Sequence, residues 1–285
     1  MHSLHSKALQ LARNFVQHKN IPFDVAYRWA RNFLQEAFGL SSLQWAFKMF
    51  DSCPLHPTLD VWVEEFITHH KPLSRSVQRR FFWNQYFSLN EATLDPRPET
   101  EGMISLVLKT GIEPRTILDL GTGSGCIVLS LLEVFPKAYG IGVDIQSKAL
   151  SAAHQNAYQL KLDHRVHWIT SNWYEKLEDY GLKKESFDLI ISNPPYISSD
   201  ECLKLPPEVL WWDPKIALDG GKNGVDPYEI IIPNASSWLA YEGILVLEIS
   251  AHTSITFLIS LAKPYFSNIS LFLDDFGRNR YLLLR

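Results

Sequence analysis

Residues 187–197 read FDLIISNPPYI, an apolar run that ends in Asn193-Pro194-Pro195-Tyr196. Two consecutive prolines cannot continue a strand inside a sheet, because neither donates an N–H. Residues before proline are held extended. The Asn193 side-chain oxygen and the Pro194 carbonyl can therefore point at one spot. Two convergent acceptors suit a planar NH2 group, and Tyr196 can stack on that plane. The nitrogen of an amide or arylamine is a poor nucleophile, since its lone pair is delocalised. Accepting both its hydrogens orients the nitrogen and pushes electron density toward it, so the catalysis is positioning and electrostatic preorganisation. The competing explanation is a strand-ending turn with a packed tyrosine.

A second constellation lies upstream, in Asp119-Leu120-Gly121-Thr122-Gly123-Ser124-Gly125. It follows a strand pattern and opens a helix pattern, where glycines let the backbone turn tightly and approach a ligand. The spacing is GxGxG and no Lys-Ser/Thr follows, so it is neither a P-loop nor the usual dinucleotide fingerprint. Asp119 can face a ligand's ammonium or fix the loop. Asp144 ends the next strand, where an acid can accept both hydroxyls of a ribose. Its structural alternative is the N-cap of a helix beginning near Ser147. Strand, glycine turn, helix, strand and acid in that order favour the ligand. They describe an adenosine-containing ligand without a pyrophosphate, and S-adenosylmethionine fits.

These residues need a scaffold. From residue 99 onward the chain alternates strands and helices, which predicts a mostly parallel, doubly wound sheet. Strands are expected at 116–120, 138–144, 166–170, 187–192, 243–250, 269–273 and 280–284. Helices are expected at 125–135, 147–160, 227–239 (kinked at Pro233) and 252–262. Residues 1–71 read as helices. Leu4, Ala8, Leu11, Ala12, Phe15 and Val16 recur at helical spacing; Asp24 is the expected cap of a second helix, and Ser41 or Ser42 of a third. Between them, residues 72–98 alternate aromatic and polar side chains around Phe81, Phe82, Trp83, Tyr86 and Phe87. They predict a linking β-hairpin that turns at Asn90-Glu91.

Composition narrows the function. A chain of 285 residues with 46% hydrophobic content can build one large or two modest cores. A net charge of −4 is unlike that of proteins living on nucleic acid. Arg75–Arg80 is the one concentrated basic run, read as solvated surface. Cys53, Cys126 and Cys202 are unclustered, so neither a zinc site nor a redox pair is signalled, and no metal is expected. No apolar run is long enough to span a membrane. Lys7, Arg13 and Lys19 precede the first acid, Asp24, as in organelle transit peptides. The amphipathic pattern favours a first helix of the folded domain instead, and a cytoplasmic enzyme.

Four segments, LDPRPETE (94–101), DLGTGSG (119–125), SNPPYI (192–197) and ALDGGKNGVDPY (217–228), resemble the HemK/PrmC family. The resemblance covers nearly the whole chain and is thinnest in the helical N-terminal part. It implies a Rossmann-like, seven-stranded class I methyltransferase domain (99–285), a small helical N-terminal domain (1–71) that binds release factors, and a β-hairpin (72–98) joining them. It implies methyl transfer from S-adenosylmethionine to the side-chain nitrogen of the glutamine in the Gly-Gly-Gln motif of class I peptide-chain release factors. Position by position, it assigns Asp119, Gly121, Thr122, Gly123, Ser124, Gly125, Asp144, Trp173 and Asn193 to the cofactor. It assigns Asn193, Pro194, Pro195, Tyr196, Arg97 and Glu99 to the substrate, with Asn193, Pro194 and Tyr196 catalytic. A monomer is expected. Gln78 stands where the family usually has glycine, Phe81 where it has an acid, and Ser250 where it has glycine. The runner-up is an adenine-N6 nucleic-acid methyltransferase, whose substrate also offers a planar NH2 but which needs base extrusion and a basic groove.

Overall fold

The computed structural model describes residues 3–285. It divides into two compact units after Val77. The first is helical: α1 (Leu4–Lys19), α2 (Phe23–Ala37), α3 (Ser42–Lys48), α4 (Pro57–His69) and α5 (Leu73–Val77). The periodic residues of α1 enter one apolar core with Ala30, Phe33, Trp45 and Phe66. Ser41 caps α3 in a reciprocal capping box with Gln44. Asp24 is not the cap of α2; Pro22 takes that place without a side-chain bond, and Asp24 lies in the first turn.

The second unit opens with the hairpin β1 (Arg79–Phe82) and β2 (Gln85–Ser88). Its turn is at Trp83-Asn84, both at positive φ, rather than at Asn90-Glu91. Phe82 and Phe87 are fully buried in the same core as the sheet, so the hairpin is part of this unit and not a separate connector. Gln78 and Phe81, which depart from the family pattern, sit in distinct local settings. Gln78 has φ +54°, the left-handed region that glycine fills at least cost. Phe81 is half exposed and packs edge-on against Tyr86.

A 3-10 turn (Pro98–Thr100) and α6 (Glu101–Thr110) come next; neither was predicted from the sequence. Then follow β3 (Thr116–Leu120), α7 (Cys126–Val134), β4 (Tyr139–Asp144), α8 (Ser147–Gln159), β5 (Val166–Thr170) and β6 (Phe187–Ser192). The chain finishes with α9 (Ser199–Cys202), α10 (Pro207–Leu210), α11 (Asp226–Trp238, continuous through Pro233), β7 (Leu239–Glu248), α12 (Ile255–Ala262), β8 (Ile269–Leu273) and β9 (Asn279–Leu284). The seven strands lie in the order β5-β4-β3-β6-β7-β9-β8. The first five are parallel; β9 runs antiparallel to both its neighbours. Successive residues of a strand face opposite sides. Ile117, Leu189 and Ile191 therefore pack under α6 and α7, while Leu118, Ile190 and Leu245 pack under α11 and α12. Both faces are covered, as a doubly wound sheet requires.

Candidate active site

The strand order reverses between β3 and β6, which pair side by side. Open α/β sheets bind ligands beyond the carboxyl ends of strands at such a reversal. The glycine turn follows β3 and the Asn-Pro-Pro-Tyr turn follows β6, so the topology brings the two predicted constellations together. Ser192 Oγ donates to the Leu120 carbonyl at 2.6 Å and ties the two strand ends.

The glycine turn is a backbone structure. Gly121, Gly123 and Gly125 have φ of +69°, +56° and +78°, values that L side chains adopt at a cost. The Thr122 N–H donates to the Val143 carbonyl at 2.8 Å and pins the turn to β4. Asp144 accepts the Gly123 N–H and the Gln146 N–H, both at 2.9 Å. It does not cap α8, whose cap position is Gln146. Each carboxylate oxygen keeps a further lone pair. Burial raises the Asp144 carboxyl above its ordinary value, against the pull of those N–H groups. Asp119 is fully buried; Thr122 Oγ1 donates to its Oδ2 at 2.7 Å while Oδ1 has no partner. Burial pushes its carboxyl up to about 7. Trp173, at φ +50°, lays its ring beside Gly121. Ser124 is buried and gives its carbonyl to Asn156 Nδ2 at 2.9 Å.

The proline turn is held differently. Pro194 is buried; Asn193, Pro195 and Tyr196 are half-buried. The segment after α10 runs backbone to backbone against it. The Ile197 N–H donates to the Leu218 carbonyl at 3.0 Å, and the Gly220 N–H donates back to the Ile197 carbonyl at 2.8 Å. A Cβ on Gly220 would lie 2.7 Å from the Pro195 carbonyl oxygen. That close approach accounts for Gly220, and a Cβ on Gly224 would likewise meet the Tyr196 carbonyl oxygen. Asn193 Nδ2 donates to Thr100 Oγ1 at 3.2 Å, and the Tyr196 hydroxyl donates to Glu248 Oε1 at 3.3 Å. Burial and the Glu248 carboxylate push the Tyr196 phenol well above its ordinary range.

Arg97 and Glu99 stand at the edge of this arrangement and are engaged by the protein. Arg97 pairs with the buried Asp213, which also accepts the Asp95 N–H at 3.2 Å. Glu99 gives its carbonyl to the Tyr281 hydroxyl at 2.6 Å. Ser250 accepts the His252 N–H in a local turn at 3.1 Å. Glu248 and Asn156 were not expected at the site, and Thr100 was expected there only as part of the 97–101 stretch at its entrance, with no role of its own. Only tertiary contact brings Glu248 and Asn156 there. Among the described residues, no three His, Cys, Asp or Glu side chains converge as a metal ion requires.

A methyltransferase-domain model matches residues 114–253. The fold and the paired turns define a class I, S-adenosylmethionine-dependent methyltransferase. The release factor glutamine methyltransferase of Cereibacter sphaeroides is 36% identical over 266 residues, 92% of each chain. That of Agrobacterium fabrum is 38% identical over 221 residues, 75% of this chain and 74% of its own. Among solved structures, the hMettl16 catalytic domain bound to an RNA hairpin superposes with a TM-score of 0.57 over 80% of this chain and 78% of that one. At 14% identity that likeness describes the fold alone. The chain belongs to the release factor glutamine methyltransferase family. No helix among the described residues is long and apolar enough to cross a membrane.

Proposed function

We propose that this protein methylates the side-chain amide nitrogen of the Gly-Gly-Gln glutamine in class I peptide-chain release factors. The observation that carries the reading is the pairing of β3 with β6, which sets Asn193-Pro194 beside a glycine turn that can cradle a nucleoside. Family membership favours a protein amide over the adenine amino group that the same motif would also suit.

S-adenosylmethionine, when bound, supplies a methyl group on a sulfonium, leaving with the electron pair on sulfur. The chain's residues bind and orient. Gly121 and Gly123 present a backbone surface free of Cβ atoms, and Gly125, where a Cβ would meet Trp168, Ala153 and Leu129, lets the turn close onto α7. Asp144 offers its remaining lone pairs to the ribose hydroxyls. The unpartnered Oδ1 of Asp119 suits the donor's ammonium, and Trp173 flanks the adenine. Asn193 Oδ1 and the Pro194 carbonyl accept the two amide hydrogens of the glutamine. Pro195 holds the turn extended, and the Tyr196 ring covers the amide plane. Arg97 and Glu99 line the entrance, with Arg97 fixed by Asp213. The methylated nitrogen is strongly acidic and releases its proton to water without a strong base. The helical unit grips the release factor away from the glutamine, and the enzyme acts as a cytoplasmic monomer.

The test offers labelled S-adenosylmethionine with an intact release factor, the same factor with that glutamine changed, and duplex DNA. Label on the intact factor alone is expected. Label on DNA, or equal label on both factors, would overturn the reading.

A further inference from the structure

Thr100 and Glu248 take no part in the chemistry above, yet they meet beneath it. Both are buried, and Thr100 Oγ1 donates to Glu248 Oε2 at 2.8 Å. The same threonine oxygen accepts Asn193 Nδ2 at 3.2 Å. A hydroxyl carries one proton. With that proton committed to the carboxylate, the threonine oxygen can only accept, and it must meet the NH2 end of the Asn193 amide. Oδ1 is then the end left for a substrate. Reversed, Asn193 would set N–H groups against the N–H groups of the glutamine.

We propose that Glu248, acting through Thr100, fixes which end of the Asn193 amide faces the substrate, and that both are positioning residues of the methyl-transfer site. The proposal deepens the reading given above and rests on Asn193 Oδ1 accepting from the glutamine amide.

The relay has a direction only while Glu248 is charged. A carboxylate accepts; a carboxylic acid also donates. Protonated, Glu248 can hand its hydrogen to Thr100 and free the threonine proton to turn toward Asn193, reversing the amide. The groups facing Glu248 come from every neighbouring element. Arg280 of β9 brings Nη1 to 3.9 Å from Oε1, and Asp274 offsets that charge from 3.6 Å at Arg280 Nε. Tyr196 donates from the turn after β6, and the Tyr228 hydroxyl of α11 donates to the Glu248 backbone carbonyl at 2.9 Å. Glu99 repels from the 3-10 turn, and Tyr281 of β9 stands near. Burial outweighs the favourable partners and lifts the carboxyl to about 7. Turnover should therefore fall as pH drops through that value. Asp119 titrates in the same range, so the wild-type profile alone does not separate the two, whereas a Glu248 variant does.

The experiment compares the full chain with Thr100→Val, Thr100→Ser and Glu248→Gln by two readouts. One is kcat and KM on a release factor. The other is the side-chain amide resonance of Asn193 in solution NMR between pH 6 and 8, which needs no substrate. Glu248→Gln keeps the volume and leaves Arg280 its Asp274 and Ile249 partners; thermal melting checks that each variant folds. Thr100→Val is expected to lose about ten- to a hundredfold in kcat, in line with a displaced reacting group. Thr100→Ser should stay within about threefold, because it keeps the hydroxyl. The Asn193 resonance should titrate near pH 7 in the wild type, and in neither Thr100→Val nor Glu248→Gln. A resonance indifferent to pH, or a Thr100→Val enzyme at wild-type rate, would overturn the relay. A folded wild type that leaves release factors unlabelled would remove the substrate reading, and the resonance would still decide the relay.

Discussion

The glycine turn after β3 and the proline turn after β6 end neighbouring strands, yet they are built on opposite principles. The first is local: its three positive-φ glycines, its pin to Val143 and its bond to Asp144 all lie within residues 119–144. The second is assembled from a distance, by Thr100, Gly220 and Glu248 on three other segments. A turn made of backbone selects by shape and approach, and few side chains can spoil it. A turn whose donors and acceptors are oriented from elsewhere selects by hydrogen-bond polarity, and its sensitivity to mutation spreads along the chain.

Substitutions can break or sharpen that contrast. The largest effect is expected for Asn193→Ala. The variant should fold and lose roughly a hundred- to a thousandfold in rate, as when one preorganised polar group is removed from a site. Label transfer at saturating donor measures it, and a rate near wild type would reduce the proline turn to a strand end. Next is Gly224→Ala. At φ +69° a Cβ there meets the Tyr196 carbonyl oxygen. Left-handed strain and overpacking together should cost about 2–4 kcal/mol of stability, read by denaturant unfolding. Asp144→Ala tests the other turn. It should weaken donor affinity by about 1.5–3 kcal/mol, the range for bonds to a charged group, while kcat at saturation changes little. Calorimetry showing unchanged affinity would move the ribose contact elsewhere. The smallest effect lies outside both turns. Gln78→Gly should stabilise the protein by about 0.5–1 kcal/mol, relief of left-handed strain exceeding glycine's added chain entropy. A lower melting temperature would contradict it.

The same contrast explains what could be read from the residues alone. Strands β3, β5, β6 and β8 fall where their apolar runs predicted, because turn residues bound each run. The glycine turn and Asp144 were legible because their partners are near in sequence. The hairpin turn was misplaced: Trp83 and Asn84 hold positive φ without a glycine to announce it. Strand β7 begins at Leu239, earlier than expected, because Ala240–Gly243 carry no strand pattern. α5 lies inside the stretch expected to form the hairpin, and the apolar run of α6 (Met103–Leu108) opens without a side-chain cap to announce a helix. Thr100 and Glu248 could not be joined by any periodicity, since 148 residues separate them.

One buried side chain also ties together segments far apart in the chain. Asn156 is fully buried and accepts the Ser88 N–H at 2.7 Å. Its Nδ2 donates to the Ser88 carbonyl at 3.1 Å and to the Ser124 carbonyl in the glycine turn. Those contacts close loops of 68 and 32 residues, an entropy that must be met before they form. The glycine turn, local in its φ angles and in its bond to Asp144, is thus also tied through Asn156 to the hairpin that precedes it in the chain. A fragment begun at residue 99 would lack Ser88, Phe82 and Phe87, leaving the Asn156 amide to water and part of the apolar core uncovered, which makes lower stability its expected behaviour.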